Sequence, residues 1–109
     1  MNLEMNLSDK FFSLLGKGLK DIEVRLLDEK RSLLKVGDTI TFNNSTNYIS
    51  TKVINIEIFD SFEDLLNNIS TERIGLSPLK DVALNELSLI YPKEKAEKYK
   101  IIAIEIRKD

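Results

Sequence analysis

The chain has 109 residues, 42% hydrophobic and 31% charged, which describes one domain of average composition and is too short for two. It contains no cysteine and no histidine, so disulfides, thiolate chemistry, zinc sites of the usual kind and every mechanism that needs an imidazole base are excluded. Sixteen basic residues against eighteen acidic ones give a net charge of −2, which argues against coating nucleic acid by bulk electrostatics. Charge is nevertheless uneven: residues 9 to 37 carry seven basic and five acidic side chains, and the rest is net acidic. The start, MNLEMNLSDK, has neither a basic leader nor a long apolar run, and no segment approaches the ~20 apolar residues of a membrane span. A cytoplasmic protein with no membrane partner is expected.

In chain order, a short extended stretch precedes Ser8, a candidate N-cap for a helix that carries Phe11, Phe12, Leu14 and Leu15 and ends in the breaker run Gly16-Lys17-Gly18. Phe11 and Phe12 are expected in the core. From Lys20 the pattern alternates strictly, with Ile22, Val24 and Leu26 on one side of a half-buried strand and Asp21, Glu23 and Arg25 on the other. Asp28 to Arg31 leads to a turn at Gly37-Asp38, where Gly37 suits a positive backbone angle, and Thr39 to Phe42 resume extended structure. The Asn-rich run 43–47 predicts a turn, and residues 48–58, rich in β-branched side chains, predict the longest strand, curved or barrel-forming. Ser61 caps a second short helix with acids in its first turn, and Leu79, Val82, Ala83, Leu87 and Ile90 form the apolar side of a third, which Pro92 ends. A charged, solvated turn at residues 93–98 leads to a closing strand over Ile101 to Ile106. The class is α+β, with about five strands and three or four helices on a small sheet or barrel.

Chemistry is most concentrated where the glycine turn delivers the alternating strand, Gly16 to Arg25. The plainer account of Asp21, Glu23 and Arg25 is a solvated face with weak cross-strand ion pairs. If that face instead lined a concave mouth, Lys20 would be partly desolvated and its pKa lowered, making it usable as a base or nucleophile near neutral pH. Spacing alone leaves both open. Elsewhere, Asp60, Glu63 and Asp64 are explained as helix-start acids, so no metal and no cofactor is expected. Gly16-Lys17-Gly18 lacks the spacing of a nucleotide-phosphate loop. Tyr91 and Tyr99 are candidates to stack on a base, with packing the simpler account for Tyr99.

The run Gly18-Leu19-Lys20-Asp21-Ile22-Glu23-Val24-Arg25-Leu26, the later Leu34-Lys35-Val36-Gly37-Asp38-Thr39, the segment Ser61-Phe62-Glu63-Asp64-Leu65-Leu66 and the closing Ile102-Ala103-Ile104-Glu105-Ile106 together resemble the ASCH domain of the PUA-like superfamily, in its small stand-alone bacterial type. Four blocks in the right order cover nearly the whole chain, as one domain over residues 1–109. The resemblance implies a small β-barrel of about five strands with peripheral helices and a cleft for RNA or a modified nucleoside. Gly18 and Lys20 would stand at its entrance, Glu23 and Arg25 would project into it, and Tyr91 would contribute to binding. Some small members are amidohydrolases that remove the acetyl group from N4-acetylcytidine with a lysine, a threonine and a glutamate. Lys20 matches that lysine. Glu23 stands in the place of the threonine, and Glu72 lies only approximately in the region of the glutamate. A carboxylate at that place would bring negative charge close to a developing oxyanion unless Lys20 or Arg25 compensates it. A protein-interaction module whose charged cleft is incidental is a further alternative.

Overall fold

The computed structural model describes residues 1–109. In chain order the elements are β1 (Asn2–Asn6), α1 (Asp9–Gly16), β2 (Ile22–Leu26), a 3-10 turn (Arg31–Leu33), β3 (Thr39–Asn43), β4 (Tyr48–Phe59), α2 (Phe62–Asn68), α3 (Thr71–Ile74), α4 (Lys80–Ile90), α5 (Lys93–Lys98) and β5 (Ile101–Lys108). The strands form a single sheet in the order β1-β3-β4-β5-β2, with β1 parallel to β3 and the other neighbours antiparallel. Five helices stand where three or four were expected; the additional one is α3, a four-residue turn too short to leave a periodic signal. No helix is long and apolar enough to cross a membrane.

The sheet curls into a half-barrel, and β4 carries the bend. This strand spans twelve residues and its pairing with β5 shifts register between Val53 and Asn55, the irregularity that lets a long strand turn a corner. At its start the Asn44 side chain accepts hydrogen bonds from the backbone N–H groups of Thr46 and Asn47, which closes the expected Asn-rich turn. At its far end Ser61 caps α2, its hydroxyl accepting from the Asp64 N–H at 3.1 Å. Both ends of the strand are thus set by local side-chain hydrogen bonds, and the curl is long-range.

Apolar side chains fill both faces of the sheet. Inside the curl, Leu3, Met5, Ile40, Phe42, Val53, Ile102, Ile104 and Ile106 pack with Leu15 of α1. On the outer face Ile22, Val24, Ile101 and Ala103 pack against residues of α2, α3 and α4, among them Leu65, Ile74 and Leu87. Because β5 is covered on both sides, its sequence is a nearly unbroken apolar run rather than an alternation. Helix α4 corrects one expectation. Only Ala83 and Leu87 are buried, whereas Leu79, Val82 and Ile90 are 66%, 44% and 48% exposed. The helix touches its neighbours along a stripe of residues four apart, narrower than the apolar side its sequence offers.

The two edge strands of the sheet, β1 and β2, pair with β3 and β5 respectively and not with each other. The expected small barrel therefore has a mouth along one side. The residues after β1 and the inward-facing residues of β2 stand at that opening.

Candidate functional site

The backbone turn after α1 delivers the first site residue. Leu19 N–H and Lys20 N–H both donate to the Leu14 carbonyl, at 2.9 and 3.1 Å, and Gly18 adopts φ +77° to allow it. Gly18 itself is exposed and is not among the residues that line the cleft; it has no side chain to contribute, and its part is to turn the chain. Lys20, 2% exposed, then points inward. Its Nζ donates to the carbonyls of Ile22 at 2.6 Å and Ile74 at 2.7 Å and lies 3.0 Å from Glu23 Oε1. An ammonium has three N–H donors, and here each has an acceptor. The same nitrogen sits 5.4 Å from the centre of the Phe11 ring.

Glu23 continues the chain of contacts. It sits on β2 opposite Ile104, so strand alternation turns it to the inside of the curl, between Ile22 and Val24, which face the helices. At 5% exposure it is buried, which departs from the solvated one of the two accounts of the β2 polar face. The physical reason is that Glu23 stands in the middle of the polar set, where Lys20 and Arg25 close over its carboxylate, while Asp21 and Arg25 to either side stay partly exposed. Asp21, just before the strand, leaves this group and pairs outside with Arg73 through two bonds of 2.9 Å. Glu23 Oε2 accepts from Arg25 Nε at 2.6 Å, and Arg25 Nη2 donates to the Asn6 carbonyl at 2.7 Å. An unbroken series of polar contacts thus runs from Ile74 at the end of α3, through Lys20, Glu23 and Arg25, to Asn6 at the end of β1. It bridges the open edge of the half-barrel in place of ladder hydrogen bonds.

A cleft of about 390 Å³ lies over this series. Its walls are Asn6, Leu7, Ser8, Phe11, Val24, Ile74, Leu76, Leu87, Ile90 and Tyr91, with Lys20, Glu23 and Arg25 as its charged members. Tyr91 donates its hydroxyl to the Val24 carbonyl at 2.8 Å and stacks on Phe62 at a centroid distance of 5.9 Å. Burial, with the Glu23 charge nearby, pushes its phenol up to about 12. One ring face and the hydroxyl are therefore engaged, and the rest of the ring forms part of the wall. The cleft is of the size and character of small-molecule sites: mostly apolar, with a few convergent polar groups.

The ASCH domain model matches residues 5–108. The chain belongs to the ASCH domain family. Two solved structures are similar to this ASCH domain along its whole length. The crystal structure of hypothetical protein PH0355 superposes with a TM-score of 0.89 at 32% identity, covering 100% of both chains. The solution NMR structure of protein PF0455 from Pyrococcus furiosus has a TM-score of 0.74 at 32% identity, covering 99% of this chain and 97% of that one. Among curated proteins none matches.

Of the residues singled out in the ASCH domain's sequence, Lys20, Glu23, Arg25 and Tyr91 meet at one cleft and Gly18 supports it from outside. Glu72 lies exposed on α3 and does not line the cleft. Three partners were not legible: the carbonyls of Asn6 and Ile74 and the ring of Phe11. Backbone carbonyls carry no sequence signature, and Phe11 reads in sequence as an ordinary core residue.

Electrostatics gives this arrangement a pH signature. Burial works to raise the Glu23 carboxyl, but the Lys20 ammonium and the Arg25 guanidinium overcome it and hold the group below its ordinary value of 4.5. A carboxyl lowered by folding contributes stability that is fully present above its unfolded value and is lost as the pH falls through its folded value. Asp28, beside Arg31, and Asp38, bonded to the N-terminal ammonium and the Lys35 N–H, are lowered too and act in the same direction. Urea unfolding midpoints measured at neutral pH and at about pH 3 should therefore fall with acid. The fall should be smaller in Glu23→Gln, and an equal fall in both proteins would remove Glu23 from this account.

Proposed function

We propose that this ASCH domain is a cytoplasmic protein that binds RNA or a modified nucleoside in the cleft between β1 and β2. The observation that carries the reading is the buried Lys20–Glu23–Arg25 series set into an otherwise apolar cleft. The apolar walls would take the face of a base. Glu23 would accept from an exocyclic amino group, and Arg25, the most exposed of the three at 17% of its side chain, would donate to a base edge or a phosphate.

Titration with N4-acetylcytidine and with a short cytidine-rich RNA, followed by NMR, tests it. The amides of Phe11, Val24 and Tyr91 should shift saturably, and Arg25→Ala should weaken binding by about tenfold or more, equivalent to about 1.4 kcal/mol. RNA affinity should also fall with added salt. No shift at these residues with either ligand would overturn the reading.

A second reading, hydrolysis of the acetyl amide of N4-acetylcytidine, is favoured by one specific observation. The negative charge of Glu23 is matched by two cations, Lys20 at 3.0 Å and Arg25 at 2.6 Å, which answers the objection that a carboxylate there opposes a developing oxyanion. In this reading Glu23 orients water, and Lys20, turning one N–H from its present acceptor, stabilises the oxyanion. Chromatography should then find cytidine after incubation, with Glu23→Gln slowing its release. No cytidine from the unaltered protein would leave binding alone.

A further inference from the structure

Beside the cleft, and sharing Arg25, Ile90 and Tyr91 with it, lies a second pocket of about 340 Å³. It is formed where the end of β2, the 3-10 turn and the start of α5 converge. Its walls carry three cations, Arg25, Arg31 and Lys95, against one carboxylate, Asp28. This local excess of positive charge stands out on a chain whose net charge is −2.

The Arg31 guanidinium is held but not satisfied. Asp28 fixes it, accepting from the Arg31 backbone N–H at 2.9 Å and from Nη1 at 2.5 Å. Its Nε is buried without a hydrogen-bond partner, the single such side-chain atom in the molecule. Its Nη2 makes no hydrogen bond within the chain and is not buried, so it is the donor open to an acceptor from outside, while the buried Nε beside it is closed to one. Lys95 is exposed and takes part in none of the molecule's ion pairs, which leaves its charge free to act. A planar guanidinium with several donors and a nearby point charge match the oxygens of a phosphate.

We infer that this outer pocket is a phosphate subsite, and that the ligand spans both pockets: a base in the inner cleft and its phosphate between Arg31 and Lys95. The substrate class is then a nucleotide or an RNA chain, not a free nucleoside. The choice of a nucleotide rests on the proposed nucleoside reading of the inner cleft; the phosphate subsite rests on the outer pocket alone.

Titration of the isotope-labelled protein with inorganic phosphate, observing arginine Nε–H signals, tests the subsite first. The Arg31 Nε–H and the Lys95 amide should shift saturably, and absence of a saturable shift overturns the proposal. N4-acetylcytidine, its 5′-monophosphate and a trinucleotide that contains it are then compared. The monophosphate should bind about tenfold or more tightly than the nucleoside, and Lys95→Ala, an exposed position outside the inner cleft, should erase the difference. Equal affinity for nucleoside and monophosphate also overturns it. Tighter binding of the trinucleotide than of the monophosphate would assign the phosphate to an RNA chain, and equal binding to a mononucleotide. If phosphate saturates Arg31 while all three leave Phe11 and Val24 unmoved, the subsite stands and the reading of the inner cleft fails.

Discussion

Lys20→Ala is expected to destabilise the protein by about 3–5 kcal/mol, the usual cost of removing one partner of a buried ion pair. The substitution leaves the Glu23 carboxylate, 5% exposed, with Arg25 as its single cation. It also takes the Nζ donor from the carbonyls of Ile22 and Ile74, and the second of these joins the end of α3 to the strand. Small domains are stable by roughly 5–15 kcal/mol, so the loss is a large part of the whole. With a urea dependence of about 1–3 kcal/mol per molar, the midpoint should fall by more than about 1 M. Lys20→Met combined with Glu23→Leu should lose markedly less than the two single changes added together, because the buried ammonium and carboxylate leave together and the one charge that remains, Arg25, reaches solvent and keeps the Asn6 carbonyl. Additive losses, or a cost below about 1 kcal/mol for Lys20→Ala, would refute this account of the pair. The same argument affects how activity data are read. Loss of function in Lys20→Ala would report unfolding as readily as chemistry, and Glu23→Gln, which takes the carboxylate from two cations, needs the same check that the variant is folded at the assay temperature.

Gly75→Ala should have the next largest effect, about 2–3 kcal/mol, from two separate causes. Gly75 ends α3 with φ +94°, where an L side chain is strained. An added Cβ would also stand 3.1 Å from Phe11 Cδ1 and 3.2 Å from Leu14 Cδ1, so those two side chains would have to give by a few tenths of an ångström. Phe11 forms one wall of the cleft and lies against Lys20 Nζ, so the strain should reach the site. Gly18→Ala supplies the comparison. It has a similar φ of +77° but nothing within 4 Å of its Cβ, so only the backbone cost of about 1–2 kcal/mol applies. Thermal unfolding of the two variants measures the difference, and Phe11 ring signals should move in Gly75→Ala alone. Equal costs with unmoved Phe11 signals would show that the close approach to α1 is unimportant.

Legibility of the fold in the sequence followed the range of the interactions concerned. Residues 48–58 read as the longest strand and form β4, and Ser61 reads as a helix cap and makes that hydrogen bond. Both are decided within a few residues. The apolar side of α4 was misjudged and the polar face of β2 left undecided for a shared reason. Periodicity says which side chains share a face, but not what covers the face. Leu79, Val82 and Ile90 are left outside because the neighbouring helix meets α4 along a narrow stripe. Glu23 is taken inside because Lys20 and Arg25, one from before the strand and one from its end, close over it at the cleft.

By itself the sequence determined the α+β class, the order of the strands along the chain, the membership of the ASCH family and the side chains Lys20, Glu23 and Arg25 that carry the site's charge. What only the tertiary structure decided is where those charges stand: buried, joined to one another, and spanning the gap between two edge strands that never pair. The reason is that the series is anchored on backbone carbonyls remote in sequence, Ile74 on one side and Asn6 on the other. Every residue except proline offers the same backbone donor and acceptor, so no side-chain pattern can say which carbonyl a lysine or arginine will meet until the chain has folded.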